Sequence, residues 1–122
     1  MDRTRSRIRS VPAAGDASTG IVRELQRALR NRVIGGSCSA SDVAEVLSIH
    51  RRTLNRCLRR EGTTFRAVLD RVRFEAARDL LRDERREIED VARALGYAEP
   101  SAFTRAFRRW AGVPPSRWRS GG

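Results

Sequence analysis

The sequence predicts an all-α fold, with about seven helices in two helix-turn-helix subdomains joined by a long connector helix. Three observations carry this prediction. Apolar residues recur at spacings of three and four from Ile21 to Trp118, the period of helices buried along one face. Gly35, Gly62, Gly96 and Gly112 each follow a periodic segment, where a chain leaving a helix often needs positive φ. Finally, Asp42-Val43-Ala44-Glu45-Val46-Leu47 returns as Asp90-Val91-Ala92-Arg93-Ala94-Leu95 at an offset of 48 positions, so one supersecondary unit occurs twice.

Residues 1–20 carry Arg3, Arg5, Arg7 and Arg9 followed by Pro, Gly, Ala and Ser with little to bury, which predicts a flexible basic arm or linker. The first helix-turn-helix subdomain is expected over residues 21–63. Its first helix holds Ile21, Leu25, Ala28, Leu29 and Val33 on one side and stops at Gly35 and Gly36. Ser39 and Asp42 have the spacing of a capping box, opening a short second helix through Val43, Ala44, Val46 and Leu47. A third helix, Arg51 to Glu61, turns Leu54, Cys57 and Leu58 to one side before Gly62.

Residues 64–82 read as the connector. Phe65, Val68, Leu69, Val72, Ala76 and Leu80 form one stripe, and Phe74, Ala77 and Leu81 form a second about 120° around the axis. Two stripes on one helix imply two bodies packed against it. The second subdomain, residues 83–119, holds a short helix from Ile88 to Leu95 ended by Gly96. Pro100 then opens a helix that turns Phe103, Ala106, Phe107 and Trp110 inward and ends at Gly112, and a last turn from Pro115 to Arg119 anchors Trp118. Residues 120–122 are a tail.

The chain has 122 residues, 39% of them hydrophobic, and its 26 basic against 15 acidic side chains leave a net charge of +11. That balance favours a polyanionic partner. Every cation but His50 is arginine, a bias that a GC-rich genome also produces, so placement carries the argument more than charge. Cys38 and Cys57 with one histidine cannot assemble a tetrahedral zinc site, and no cofactor or metal is expected. Without a long apolar run or a signal peptide, the expectation is a soluble protein of the reducing cytoplasm, associated with the nucleoid.

The repeat gives those charges a place. An apolar helix, a tight turn and an amphipathic second helix is the plan whose second helix enters a DNA major groove. At 100° per residue with Leu54 as zero, Arg52, Asn55, Arg56 and Arg59 fall between about 100° and 200°, opposite the core. With Phe103 as zero, Ser101, Thr104, Arg105 and Arg108 take the same four angular places. Arginine pairs bidentately with guanine and asparagine with adenine, so Arg56 and Arg105 are the expected base readers, with Arg52 and Asn55 beside them. Arg59, Arg108 and Arg109 lie where phosphates are neutralised, and Arg51, Ser101 and Thr104 complete the expected DNA-binding set.

From Ser39 to Arg119 the sequence resembles the AraC/XylS family of bacterial regulators. The resemblance rests on Ile88-Glu89-Asp90-Val91-Ala92, Leu95-Gly96-Tyr97, Phe103-Thr104-Arg105-Ala106-Phe107-Arg108-Arg109 and Gly112-Val113-Pro114-Pro115-Ser116-Arg117-Trp118-Arg119, with Arg51-Arg52-Thr53-Leu54-Asn55-Arg56 similar to the first recognition helix. It implies seven helices, double-stranded promoter DNA as partner, frequent contact with RNA polymerase, and transcriptional activation. Three positions depart from the pattern: Ser48 stands where a turn glycine is common, Trp118 where Tyr or Phe is usual, and Pro100 opens the second recognition helix. Many members carry an effector-binding or dimerisation domain upstream. Here only the arm precedes the first helix, so the expectation is either a short stand-alone regulator or an excised portion of a longer one.

Two other readings compete. Catalysis lacks its parts: one histidine, two distant cysteines and no glycine-rich phosphate loop supply neither an activated water nor a nucleophile with its base. A protein-interaction module on the same scaffold would favour acids on the outward faces, where this chain has arginines. His50 is expected at a helix N-cap or facing solvent, Cys57 as a small core filler, and Cys38 in a loop. A membrane partner and a small-molecule site within the chain are not expected.

Overall fold

The computed structural model describes residues 14–35 and 38–121, and among these the regular structure is helical. The seven helices are α1 (Ala14–Arg32), α2 (Ala40–Val46), α3 (Arg51–Arg60), α4 (Phe65–Leu81), α5 (Ile88–Ala94), α6 (Pro100–Ala111) and α7 (Pro115–Gly121). None of the described helices is long and apolar enough to cross a membrane.

Helix starts follow local chemistry. Ser39, in extended conformation, accepts the Asp42 N–H on its Oγ at 3.1 Å to open α2, and Thr64 accepts the Ala67 N–H on Oγ1 at 3.1 Å to open α4. Each such cap stabilises its helix by about 1 kcal/mol. Pro100 occupies the first position of α6, where a missing N–H leaves no bond unmade.

The two helix-turn-helix corners share one hydrogen-bond pattern. After α2, the Ser48 N–H donates to the Glu45 carbonyl and the Ile49 N–H to that of Ala44, both at 3.0 Å. After α5, Gly96 donates to Arg93 and Tyr97 to Ala92, again both at 3.0 Å. This is the Schellman pattern, which satisfies the last carbonyls of a helix and requires a left-handed residue. Gly96 has φ +89°, and Ser48, at φ +61°, is the one described non-glycine residue with positive φ. The departure at Ser48 therefore leaves the turn geometry intact and places a Cβ in left-handed backbone.

The core is one continuous cluster. Leu25, Leu29, Val43, Leu54 and Leu58 of the first half join Val91, Leu95, Phe103 and Phe107 of the second through Val68, Leu69, Val72, Ala77 and Leu81 of α4. Both expected stripes of α4 are buried or half-buried, and α4 packs on α1 as well as on α5 and α6. In the second half the ring of Phe107 meets Phe74 of α4 edge-on at 5.6 Å, Trp118 of α7 at 6.0 Å and Phe103 at 5.8 Å. Arg119 secures α7 from the other side. Its Nε donates to the Leu81 carbonyl at 2.8 Å, and its two terminal nitrogens donate to Arg86 and Asp83 carbonyls at 2.7 and 3.2 Å. These bonds cap the C-terminus of α4 and hold the turn that follows.

Two boundaries differ from expectation. Residues 14–20, expected in the flexible arm, are helical and form the start of α1. Once a helix is nucleated each added residue gains a bond, and apolar spacing cannot register turns with nothing to bury. Ser120 and Gly121, expected in the tail, continue α7. The expectations for residues 1–13, Gly36 and Gly122 lie outside the described residues.

The αL positions make a paired test. Left-handed backbone costs an L-residue about 1–2 kcal/mol, and no atom lies within 4 Å of where a Gly96 Cβ would sit. Gly96→Ala should therefore destabilise by about 1 kcal/mol and Ser48→Gly should stabilise by a similar amount, read as opposite shifts of the urea midpoint at constant m.

Candidate nucleic-acid interface

Helices α3 and α6 each bury one face and expose the other. Leu54 and Leu58 of α3 are fully buried, as are Phe103 and Phe107 of α6. Opposite them, Arg52, Arg56 and Arg59 of α3 are exposed with Asn55 half-exposed, and Arg51 is exposed at the first position of the helix. On α6, Ser101, Arg105, Arg108 and Arg109 are exposed with Thr104 half-exposed. The structure thus gathers the ten sequence-derived candidates onto the outer faces of two helices that follow identical turns.

The arginines of these faces differ from most of those on α4 and the turn that follows it. Elsewhere arginines are commonly neutralised: Arg66 by Asp70, Arg71 and Arg30 by Glu75, Arg82 by Asp79, and Arg93 by Asp90. Arg85 and Arg86 both reach Asp83, whose carboxyl is held below its usual range chiefly by the Arg85 side chain. Among the described residues, Arg51, Arg52, Arg56, Arg59, Arg105, Arg108 and Arg109 make no ion pair. No acid lies within α3 or α6, whereas Asp79 at the end of α4, Asp83, Glu84 and Glu87 in the turn after it, and Glu89 and Asp90 at the start of α5 follow one another closely along the chain. Exposed guanidiniums without a carboxylate partner keep their field for an outside anion.

Two shallow depressions mark α3. One is lined by Arg52, Arg56, Arg59 and Arg60, the other by His50, Arg51, Arg52, Thr53, Asn55 and Arg59. Arg60 was not among the candidates. At about 240° from Leu54 it falls outside the angular window used to choose them, although its spacing from Arg52 and Arg56 places it on the same ridge. His50 occupies the N-cap position of α3, exposed and without a capping bond from its side chain, and Glu99 holds the corresponding position of α6. The first face is therefore the more cationic.

Comparison with known proteins follows this geometry. A family described as a helix-turn-helix domain matches residues 43–121. An uncharacterised helix-turn-helix-type transcriptional regulator of Mycobacterium tuberculosis is 49% identical over 78 residues, covering 64% of this chain and 23% of that protein. The solved transcriptional regulator CdpR from Pseudomonas aeruginosa is 40% identical with a TM-score of 0.70, over 88% of this chain and 36% of that one. A Chromobacterium violaceum transcriptional regulator, described among AraC-type DNA-binding domain-containing proteins, superposes with a TM-score of 0.75 at 23% identity, over 85% of this chain and 93% of that one, a likeness of fold alone. The chain spans between 23% and 30% of the length of the curated relatives it matches.

Neither cysteine lies on the exposed faces, and both are free thiols. Cys38 lies in a loop, as expected, and packs against the core. Burial pushes its thiol pKa above the ordinary value of 9.0, offset in part by the nearby Arg73 and Arg32 charges. Because the thiolate is the reactive form, alkylation of Cys38 by iodoacetamide should be slow at pH 8 and rise only above pH 9. Rapid labelling of Cys38 at pH 7, followed by peptide mass mapping, would show that the loop opens.

Proposed function

Since the chain belongs to the AraC-type helix-turn-helix family of DNA-binding transcription regulators, we propose that it inserts α3 and α6 into successive major-groove segments of one promoter duplex. The observation that carries this reading is the pair of arginine faces left without carboxylate partners at equivalent angular positions. Connector length supports it. The 17 residues of α4 extend about 26 Å at 1.5 Å per residue, on the scale of one DNA turn of about 34–36 Å. One monomer would then read an asymmetric site.

Within this reading the residues divide by reach. Arg56 and Arg105, central on their helices, read base edges by bidentate contact to guanine, with Arg52 and Asn55 beside Arg56 and with Ser101 and Thr104 beside Arg105. Arg51, Arg59, Arg108 and Arg109, nearer the helix ends, hold phosphates and fix register. The module works on the nucleoid as an activator, touching RNA polymerase when bound upstream of its promoter. It needs no small molecule within these residues, and the lack of acids on the outer faces speaks against use as a protein-binding scaffold.

Selection from random duplexes should yield a site of about 15–20 base pairs with two boxes roughly 10 apart. If 6–10 phosphates are contacted, affinity for that site should fall by about 10³ to 10⁵ between 50 and 200 mM salt, and a flat salt response would overturn the interface. Arg105→Ala should cost about 1–3 kcal/mol and relax preference in one box only. Equal loss on every sequence would make Arg105 a phosphate contact instead.

A further inference from the structure

The two units are tied together at a seam that the recognition faces do not include. The Gly35 N–H, just past α1, donates at 3.0 Å to the carbonyl of Ala94, the last residue of α5. A terminal helix carbonyl has no partner within its own helix, and here the other unit supplies it. Arg73 of α4 lies at the same seam. With Phe65 as zero, the first stripe of α4 spans about 60° either side and the second begins near 120°, so Arg73, near 80°, falls in the narrow gap between them. Its guanidinium stands 5.4 Å from the centre of the Tyr97 ring, and its Nε is buried without a hydrogen-bond partner.

Tyr97 is the residue through which the second unit would sense this contact. Its backbone N–H closes the turn after α5, and its ring packs at 5.6 Å on Phe103, the first fully buried residue of α6. The Arg73 charge also acts on Cys38, in the loop that leads into α2 of the first unit. One planar cation thus sits between the entry to the first helix-turn-helix and the turn of the second. A guanidinium tolerates such desolvation where a flat aromatic face replaces water.

We propose that Arg73, stacked on Tyr97 beside the Gly35–Ala94 bond, is a positioning residue that fixes the offset between α3 and α6 and thereby sets which box separation the protein accepts. This rests on the reading that α3 and α6 occupy neighbouring groove segments. Changing the separation by one base pair moves a box by about 3.4 Å and turns it by about 35°. A locked seam cannot follow that displacement, whereas a loosened one can, since linked modules gain affinity only when both engage at once.

The test measures affinity for single-box duplexes and for duplexes whose box separation is varied one base pair at a time. For the unaltered chain, a one-base-pair change should cost roughly tenfold or more; for Arg73→Gln it should cost no more than about threefold, with single-box affinity preserved within about twofold. Tyr97→Phe should keep the narrow profile, because it retains the ring. Arg73→Lys keeps the charge without the flat stack and should behave as Arg73→Gln does; full rescue by lysine would overturn the stacking joint. An unchanged spacing profile in Arg73→Gln also overturns it, as does an equal loss on single boxes with a shallower salt slope, which would make Arg73 a phosphate contact. If the unaltered chain shows no advantage for two boxes, the two-groove reading fails by itself, and amide exchange decides the seam. Gly35 should then exchange about tenfold faster in Arg73→Gln while the amides of α3 and α6 hold, and unchanged Gly35 protection overturns the proposal.

Discussion

The structure depends on α4 being buried along two separate lines. A helix–turn–helix of about 40 residues has too little interior to stand alone, and α2 and α5 are each only seven residues long. Sharing one long helix lets both units count the same buried side chains, and Val68, Val72, Ala77 and Leu81 of α4 lie in a single cluster with residues of both. The aromatic contacts centred on Phe107 reach α4, α6 and α7 together. Replacing such a ring by a methyl group leaves a cavity whose cost runs to several kcal/mol, comparable to the whole stability of a small domain. The recognition faces are thus held by packing behind them, and their own outward side chains remain free of structural duty.

Charge is sorted in the same sense. Carboxylates of α4, of the turn after it and of α5 pair with neighbouring arginines, and exposed pairs of that kind contribute little to stability. Their effect lies in what they leave alone. The arginines of α3 and α6 face outward with no ion pair among the described residues, and their charge is left to act on whatever anion approaches.

Much of this was legible in the sequence because it is local. Ser39 as a cap, Pro100 as a helix start, Gly96 as a left-handed turn and the apolar stripes of α4 each follow from a few adjacent residues, and the structure agrees with all of them. The repeat was legible because the same local signals recur in the same order. The start of α1 was not, since Ala, Gly, Asp, Ser and Thr in a row carry no apolar period. The Arg119 fork spans 33 to 38 positions along the chain, and the Arg73–Tyr97 stack joins α4 to the turn after α5, a pairing that helical spacing does not encode. Arg60 falls outside the angular window that selects the α3 candidates, and the packing of Cys38 against the core has no local signal in the sequence.

The guanidinium character of both faces has a consequence for control. Arginine keeps its charge far beyond physiological pH, so alkaline shifts within the cell would leave these surfaces as cationic as before. Lysine acetylation, which removes a positive charge from many nucleic-acid-binding proteins, finds no acceptor side chain in a sequence without lysine. The charge of these two faces is therefore out of reach of both lysine acetylation and alkaline titration in the physiological range.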